Sequence, residues 1–260
     1  MRVVVCIKQV PATDEVRIDP QTKTLIREGV PMTINPLDDY ALETALRIKD
    51  AVGAEIIAIS MGPPSAEQVL RHALGMGCDE AVLLSDRAMA GADTLATARV
   101  LAAAVRKVGD VDLVVCGDHS SDGDTGSVGP QVAELLGLPQ VTFALSAQVE
   151  DGVLRVRRLL PGVIETVEVP LPALITVLKS PERVRRPNLL RLRRAQERQI
   201  SVWGVQELGL DRHEVGMYGS PTKVLDLFTP PPRPGAQKFV VSPGEAAARI
   251  AAIVCGEADA

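Results

Sequence analysis

The sequence predicts an α/β protein: a doubly wound, mainly parallel sheet with an antiparallel extension and a C-terminal arm. Three observations carry that expectation. Four short runs, VVVCI (3–7), EIIAIS (55–60), AVLLS (81–85) and VDLVVCG (111–117), are apolar with little alternation, the mark of strands buried on both faces. Helix-period segments alternate with these runs, and right-handed crossovers stack such helices on both faces of a parallel sheet. After residue 138 the pattern changes to VTFALSAQVE, VLRVRRLL, VIETVEV and ALITVLK, separated by Asp151-Gly152, Pro161-Gly162 and Pro170-Leu171-Pro172, which predicts an antiparallel meander.

The elements follow in order. MRVVVCIKQV has one arginine and an apolar run far shorter than a membrane span, broken by Lys8, so it reads as a first strand and a cytoplasmic protein is expected. Asn35-Pro36 places a cap and an N1 proline before LDDYALETALRIKD. Ser65 with Gln68 has capping-box spacing, and Asp93 precedes TLATARVLAAAVRK. Gly53, Gly75, Gly77 and Gly109 are the expected helix stops. Beyond the meander, a helix is expected around Asn188 to Gln199. SVWGVQELGL follows, then TPPPRPG, which cannot be regular structure, and SPGEAAARIAAIV, a capped amphipathic helix. This divides the chain into an α/β domain with its meander, 1–200, and an extended arm with a helix that packs on something else, 201–260.

Composition narrows the function. With 260 residues the chain can bury a sizeable core without disulfides or metal. Cys6, Cys78, Cys116 and Cys255 are too far apart for a CxxC pair or a zinc spacing, and read as small residues in a reducing compartment. The net charge is −5, yet residues 179–198 carry eight basic residues against Glu182 and Glu197, so one surface differs from the rest. An aromatic content of 2% and the acidic total argue against nucleic acid as a partner.

The loop DHSSDGDTGSVGP, between the fourth run and a helix, is the leading candidate site. Gly123, Gly126 and Gly129 recur every third residue, Thr125 or Ser127 is placed to cap the helix, and Pro130 lies in its first turn. Glycines let backbone N–H groups approach a ligand, and a helix N-terminus adds free donors and about half a positive charge. An anion therefore binds without a lysine. No G-x-x-x-x-G-K-[ST] occurs, which argues against a P-loop ATPase, and Asp118, Asp122 and Asp124 would repel a triphosphate that they faced. A mono- or diphosphate on the backbone fits better; the plain alternative is a tight glycine turn with solvated aspartates. The loops CIKQVPAT and SMGPPS, at the carboxyl ends of the first two strands, and the entry TINPLDD converge on the same crevice. His72, His119 and His213 form no triad or metal spacing, and only His119 lies in the glycine loop. No catalytic or metal-ligating set is legible. The basic run reads as a phosphate track, a solvated helix face, or a docking surface in which Leu189, Leu190 and Leu192 interleave with arginines to suit an acidic partner.

These segments resemble the β subunit of electron transfer flavoprotein over nearly the whole chain. The likeness is carried by VCIKQVPAT, INPLDDYALETALRIKD, IIAISMGPP, ALGMGCDEAVLLSD, VDLVVCGDHSSDGDTGSVGPQVAELLG and VRRLLPGVIETVEVPLPALITV followed by RRPNLL. In the last pair Arg158, Gly162, Glu165, Val167, Pro172, Leu174, Ile175 and Thr176 match the family's signature pattern, and Pro161 and Val163 depart from it. The resemblance implies an adenine-nucleotide-binding fold and a heterodimer. Its α subunit carries most contacts to a redox-active FAD, and its β subunit holds a structural AMP. Carried across residue by residue, AMP would contact Cys6, the turn Asn35, Pro36, Leu37 and Asp38, and Met61. It would also contact Gly117, Asp118, His119, Ser120, Ser121 and Asp122, and then Gly123, Asp124, Thr125, Gly126, Ser127 and Val128. The loop around Pro11 to Thr13 would approach the flavin, with Thr13 where some members have tyrosine.

The same resemblance makes residues 180–194 a recognition loop for acyl-CoA-type or other flavin dehydrogenases, with Arg186 at the family's anchoring leucine. It implies an electron carrier subunit without catalytic residues, linked to membranes only through a quinone oxidoreductase. One subfamily binds a second FAD in place of AMP and bifurcates electrons, and its glycine loop resembles this one. A different class, a nucleotide-sensing regulatory module on the same fold, would leave the arm nothing to cover.

Overall fold

The computed structural model describes residues 1–12, 17–18, 25–26, 30–180, 182–225, 235 and 238–256. Thr13 and residues 229–234 of the expected irregular arm lie outside the described residues. The chain separates into two compact units, Met1–Leu225 and Asp226–Ala260.

In the first unit, β1 (Arg2–Cys6) is followed by the short strands β2 (Gln9–Pro11), β3 (Arg17–Ile18), β4 (Leu25–Ile26) and β5 (Met32–Ile34). Helix α1 (Pro36–Val52), β6 (Glu55–Met61), α2 (Glu67–Met76) and β7 (Glu80–Leu84) come next. Then α3 (Thr94–Val108) crosses to β8 (Leu113–Gly117), which leads into α4 (Val128–Leu136). The strands β9 (Gln140–Glu150), β10 (Val153–Leu160), β11 (Val163–Pro170) and β12 (Ala173–Val177) precede α5 (Leu189–Glu197), β13 (Ser201–Trp203) and α6 (Gly216–Gly219).

Nine strands form one sheet in the order β11-β10-β9-β12-β8-β1-β6-β7-β13. From β9 to β13 every pairing is parallel, and only β9-β10 and β10-β11 are antiparallel. The doubly wound, mainly parallel fold with an antiparallel extension is therefore observed. The four apolar runs are β1, β6, β7 and β8, all buried on both faces. Leu42, Leu46, Ile56 and Leu70 pack between α1, α2 and one face of the sheet; Ile59, Val100, Leu101 and Val132 pack under α3 and α4 on the other. Each such side chain contributes roughly 1.5–3 kcal/mol of transfer free energy.

Several expectations are corrected. ALITVLK is not a fourth meander strand: β12 inserts between β9 and β8, parallel to both. All five of its residues are buried, and a strand without a polar face is stable only inside a covered sheet. Gly75 does not stop α2 but lies within it, where a β-carbon would collide with the Leu192 side chain. Gly53, Gly77 and Gly109 do end their helices. The Ser65–Gln68 capping box does not form; Ser65 Oγ donates to Gln9 Oε1 at 3.0 Å. Residues 201–225 belong to the first unit rather than to an arm. Strand β13 pairs with β7, and Val205 and Val215 are buried against the α3 face.

The second unit holds α7 (Pro243–Val254), closed by a capping box between Ser242 and Glu245. Its Ile250, Ile253 and Val254 are exposed. Among the described residues no helix is long and apolar enough to cross a membrane.

Candidate functional site at the switch point of the sheet

Strand β1 lies between β6 and β8, and the chain leaves it in one direction through α1 and returns on its other side through α3. Such a reversal opens a crevice beyond the strands' carboxyl ends, because the flanking loops turn away from each other. The loops after β1 and β8 and the start of α1 meet there.

Asn35 joins them. Its expected capping role is replaced by bridging: Nδ2 donates to Asp38 Oδ1 (3.0 Å) and to the His119 carbonyl (2.9 Å), while Oδ1 accepts from Ser121 N–H (3.1 Å). One buried amide therefore sets the glycine loop against α1. Asp38 Oδ2 accepts from Lys8 N–H at 2.7 Å, which ties the loop after β1 to the same helix. Gly117 is required at the end of β8, since a β-carbon there would collide with Asp38 Oδ1 and press on the Leu37 backbone. Gly129 allows a similar approach on the other side, with Thr176 Cγ2 only 2.6 Å from where its β-carbon would lie.

The charge of the site is arranged from outside the loop. Lys8 Nζ reaches Asp122 Oδ1 at 2.6 Å and Ser120 Oγ at 3.2 Å. Burial alone would raise the Asp122 pKa, but the Lys8 ammonium brings the net shift down. Asp118 is buried, held by Thr176 Oγ1 at 2.8 Å and His119 Nδ1 at 3.1 Å. Among the described residues no ammonium is in contact with Asp38, and burial raises its pKa to about 7 against the opposing hydrogen bonds from Asn35 and Lys8 N–H. Beneath the loops, Cys6 and Cys116 face each other in register on β1 and β8. The Cys6 contact, together with burial, pushes the Cys116 thiol well up, so Cys116 is not a reactive thiolate.

Helix α4 presents its N-terminus to the crevice. Ser127 occupies the cap position without capping; its Oγ turns back to the Thr125 carbonyl at 3.0 Å. The first-turn N–H groups therefore keep their donor capacity for a ligand. Asp124 (φ 49°) and Gly126 (φ 62°) turn the loop through the left-handed region, and residues 123–125 form its exposed tip. Of the residues expected to contact a nucleotide, Cys6, Asn35, Leu37, Asp38 and the segment from Gly117 to Val128 come together around β1 and β8. Pro36 is exposed on the first turn of α1, and Met61 lies farther along, at the end of β6. The SMGPPS loop is drawn instead toward Gln9, whose Nε2 donates to the Ser65 carbonyl at 3.0 Å.

Two residues escaped the sequence reading. Lys8 serves the glycine loop from the connection between β1 and β2, and the only signal for it is a lone cation just past the first apolar run. Thr176 belongs to the signature stretch, yet its partner Asp118 lies 58 positions away. The signature is otherwise scaffolding: Arg158 Nε donates to Glu165 Oε1 at 2.6 Å across the β10–β11 hairpin, and Gly162 makes its turn with φ 76°.

On the outer side of α2, Asn188 caps α5 by accepting from Leu190 N–H (2.9 Å) and Arg191 N–H (3.4 Å). Leu192 packs inward on Gly75, whereas Leu189 (82% exposed) and Leu190 (71%) point to solvent beside the exposed Arg186.

Fold and crevice define the class: a doubly wound α/β protein with a loop-lined crevice at its topological switch point. Residues 22–207 match the electron transfer flavoprotein domain family. Over 231 residues, 88% of each chain, the sequence is 49% identical to the electron transfer flavoprotein subunit beta of Thermoanaerobacterium thermosaccharolyticum. It is 47% identical over 238 residues, 91% of each chain, to the caffeyl-CoA reductase-Etf complex subunit CarD of Acetobacterium woodii. Protein FixA of Azorhizobium caulinodans is 43% identical over 241 residues, 90% of this chain and 86% of that one. The chain belongs to the electron transfer flavoprotein family.

Proposed function

We propose that this chain is the β subunit of a cytoplasmic, heterodimeric electron transfer flavoprotein, a carrier subunit that holds AMP in the switch-point crevice. The observation that carries the reading is the uncapped N-terminus of α4 facing a crevice whose walls are already hydrogen-bonded to one another. Such a site offers backbone donors to one phosphate and polar side chains to a ribose. It offers no polarised nucleophile, which suits a nucleotide held for structure. The FAD, carried mainly by the α subunit, supplies the redox chemistry, and this chain helps to enclose it. The family membership and the relative named subunit beta support the partnership. Helix α5, with Leu189 and Leu190 outward, docks the dehydrogenases that reduce the flavin, and a quinone oxidoreductase provides the only link to a membrane. The arm and α7 lie on the α subunit, which accounts for the apolar face of a helix that exposes Ile250 and Ile253.

A second reading has its own support. Among the described residues a β-carbon on Gly123 would meet only Ser120 Oγ, at 3.4 Å, and one on Gly126 only the Asp118 carbonyl, at 3.8 Å, so the loop has room on its outer side for a second phosphate. A second FAD in place of AMP would use that room, and a relative nearly as similar as the subunit beta is named as part of a reductase-Etf complex.

Nucleotide extraction from the purified heterodimer separates the two. One FAD and one AMP per dimer support the first reading, and two FAD with no AMP support the second. A chain that purifies alone without any flavin-carrying partner would overturn both.

A further inference from the structure

A cavity of about 280 Å³ opens between the C-terminal ends of α1 and α2 and the flank of α5. Lys49, Arg191, Arg194 and Arg198 line it, with Asp79 as the lone carboxylate among the lining residues. Three of the four cations are fastened in place. Lys49 pairs with Asp79 and donates to the Gly77 carbonyl at 3.2 Å; Arg191 donates to the Met76 carbonyl at 3.2 Å; Arg198 donates to the Asp79 carbonyl. Carbonyl partners orient Arg191 and Arg198 while leaving most of their charge uncancelled, whereas Lys49 is offset by Asp79. Arg194 has no polar partner among the described residues. By contrast, Arg185 is neutralised by Glu43 and Asp50, and Arg47 by Glu43 and Glu182. Three cations of the basic run, Arg191, Arg194 and Arg198, thus meet at this cavity with no carboxylate partner among the described residues.

We propose that the cavity receives an acidic side chain of the protein that docks on α5. This assignment rests on the docking reading above and names the chemistry of the partner. Leu190 and Arg194 are one helical turn apart, so the exposed leucine stands at the cavity's rim. A free anion has no use for two neighbouring exposed leucines; a protein surface with an apolar socket beside an aspartate or glutamate matches both features. The charge contact accelerates encounter and fixes orientation, and the leucines supply the apolar contact.

The test uses the whole heterodimer and a flavin dehydrogenase, of the acyl-CoA type, that reduces the wild-type complex. Arg194→Glu should lower the second-order rate of flavin reduction on the order of tenfold at low ionic strength, with the gap closing as salt rises. Arg194→Ala should give a smaller loss of the same salt dependence. Arg106→Glu, the same charge reversal on the opposite face, should leave the rate unchanged. Flavin content and thermal midpoint should stay constant throughout. If Leu189→Ala with Leu190→Ala slows the reaction and Arg194→Glu does not at any salt, the cavity assignment fails while the docking reading stands. If neither slows it, docking on α5 itself fails. Inorganic phosphate bound by the wild type and not by Arg194→Glu, with equal electron-transfer rates in both, would make the cavity a small-anion site and overturn the proposal.

Discussion

Lys8 Nζ lies 2.6 Å from Asp122 Oδ1, so the cation absent from the glycine loop reaches it from the loop that follows the first strand. The pair holds the loop against the sheet while leaving the first turn of α4 open. The Lys8 side chain is 44% exposed, and solvent screening limits the pair's own worth to about 1 kcal/mol or less. Its larger effect is on loop position. Lys8→Met should therefore leave the thermal midpoint nearly unchanged while speeding AMP loss several-fold, measured as nucleotide retained on dialysis of the heterodimer. Equal retention would remove Lys8 from the site.

Asp38 gives the fold a pH dependence whose sign follows from its burial. Its pKa is about 7 in the folded chain against an ordinary 3.8. Below pH 3.8 both states hold the proton and the group's contribution is fully present. As pH rises the unfolded chain releases the proton first, and the contribution is lost by about pH 7, on the order of 4 kcal/mol at most. Asp38→Asn should abolish that component. The stability of the wild type relative to the variant, from urea unfolding, should fall between about pH 4 and pH 7 and then level. A constant difference would show that Asp38 does not hold its proton in the fold.

Two glycines of the site should respond differently to the same added methyl group. Gly117→Ala drives a β-carbon into Asp38 Oδ1, so the start of α1 must move, at about 1–3 kcal/mol. Gly123→Ala meets only Ser120 Oγ at 3.4 Å and should cost little. Thermal melts of both variants check the contrast, and bound AMP should fall in the first.

Leu189→Ala and Leu190→Ala remove exposed apolar side chains that no described residue of the first unit covers. Each should slow reduction by a partner dehydrogenase several-fold with FAD and AMP still bound. Stopped-flow reduction measures this directly, and unchanged rates would exclude both leucines from docking.

The helix of the second unit predicts its own role. Ile250→Glu with Ile253→Glu should leave α7 helical, since its capping box is untouched, but weaken association with the α subunit. Sedimentation of the mixed subunits would show free chains at micromolar concentration; an intact heterodimer would place the contact elsewhere.

Much of this was legible along the chain, for reasons of period and local chemistry. Uninterrupted apolar runs mark doubly covered strands, Asp93 caps α3 through Ala96 N–H at 2.9 Å, and glycine spacing locates the loop before α4. Such signals depend on residues within a few positions of one another. ALITV was misread because its burial on both faces was weighed less than its place after three alternating strands. Gly75 was misread because the reason for it is the close approach of Leu192, more than a hundred residues on.

By itself, then, the sequence determined the class of sheet, the helix that opens on the crevice, the glycine loop and the segments that carry the family likeness. Only the tertiary structure decided that Lys8 serves that loop, that Asn35 bridges it to α1 rather than capping, that Asp38 is buried, and that four cations surround one cavity beside α5. The physical reason is separation. Caps, turns and periodicity are set by neighbours in the chain, whereas charge pairing, desolvation and close packing depend on which distant residues the crossovers bring within a few ångströms.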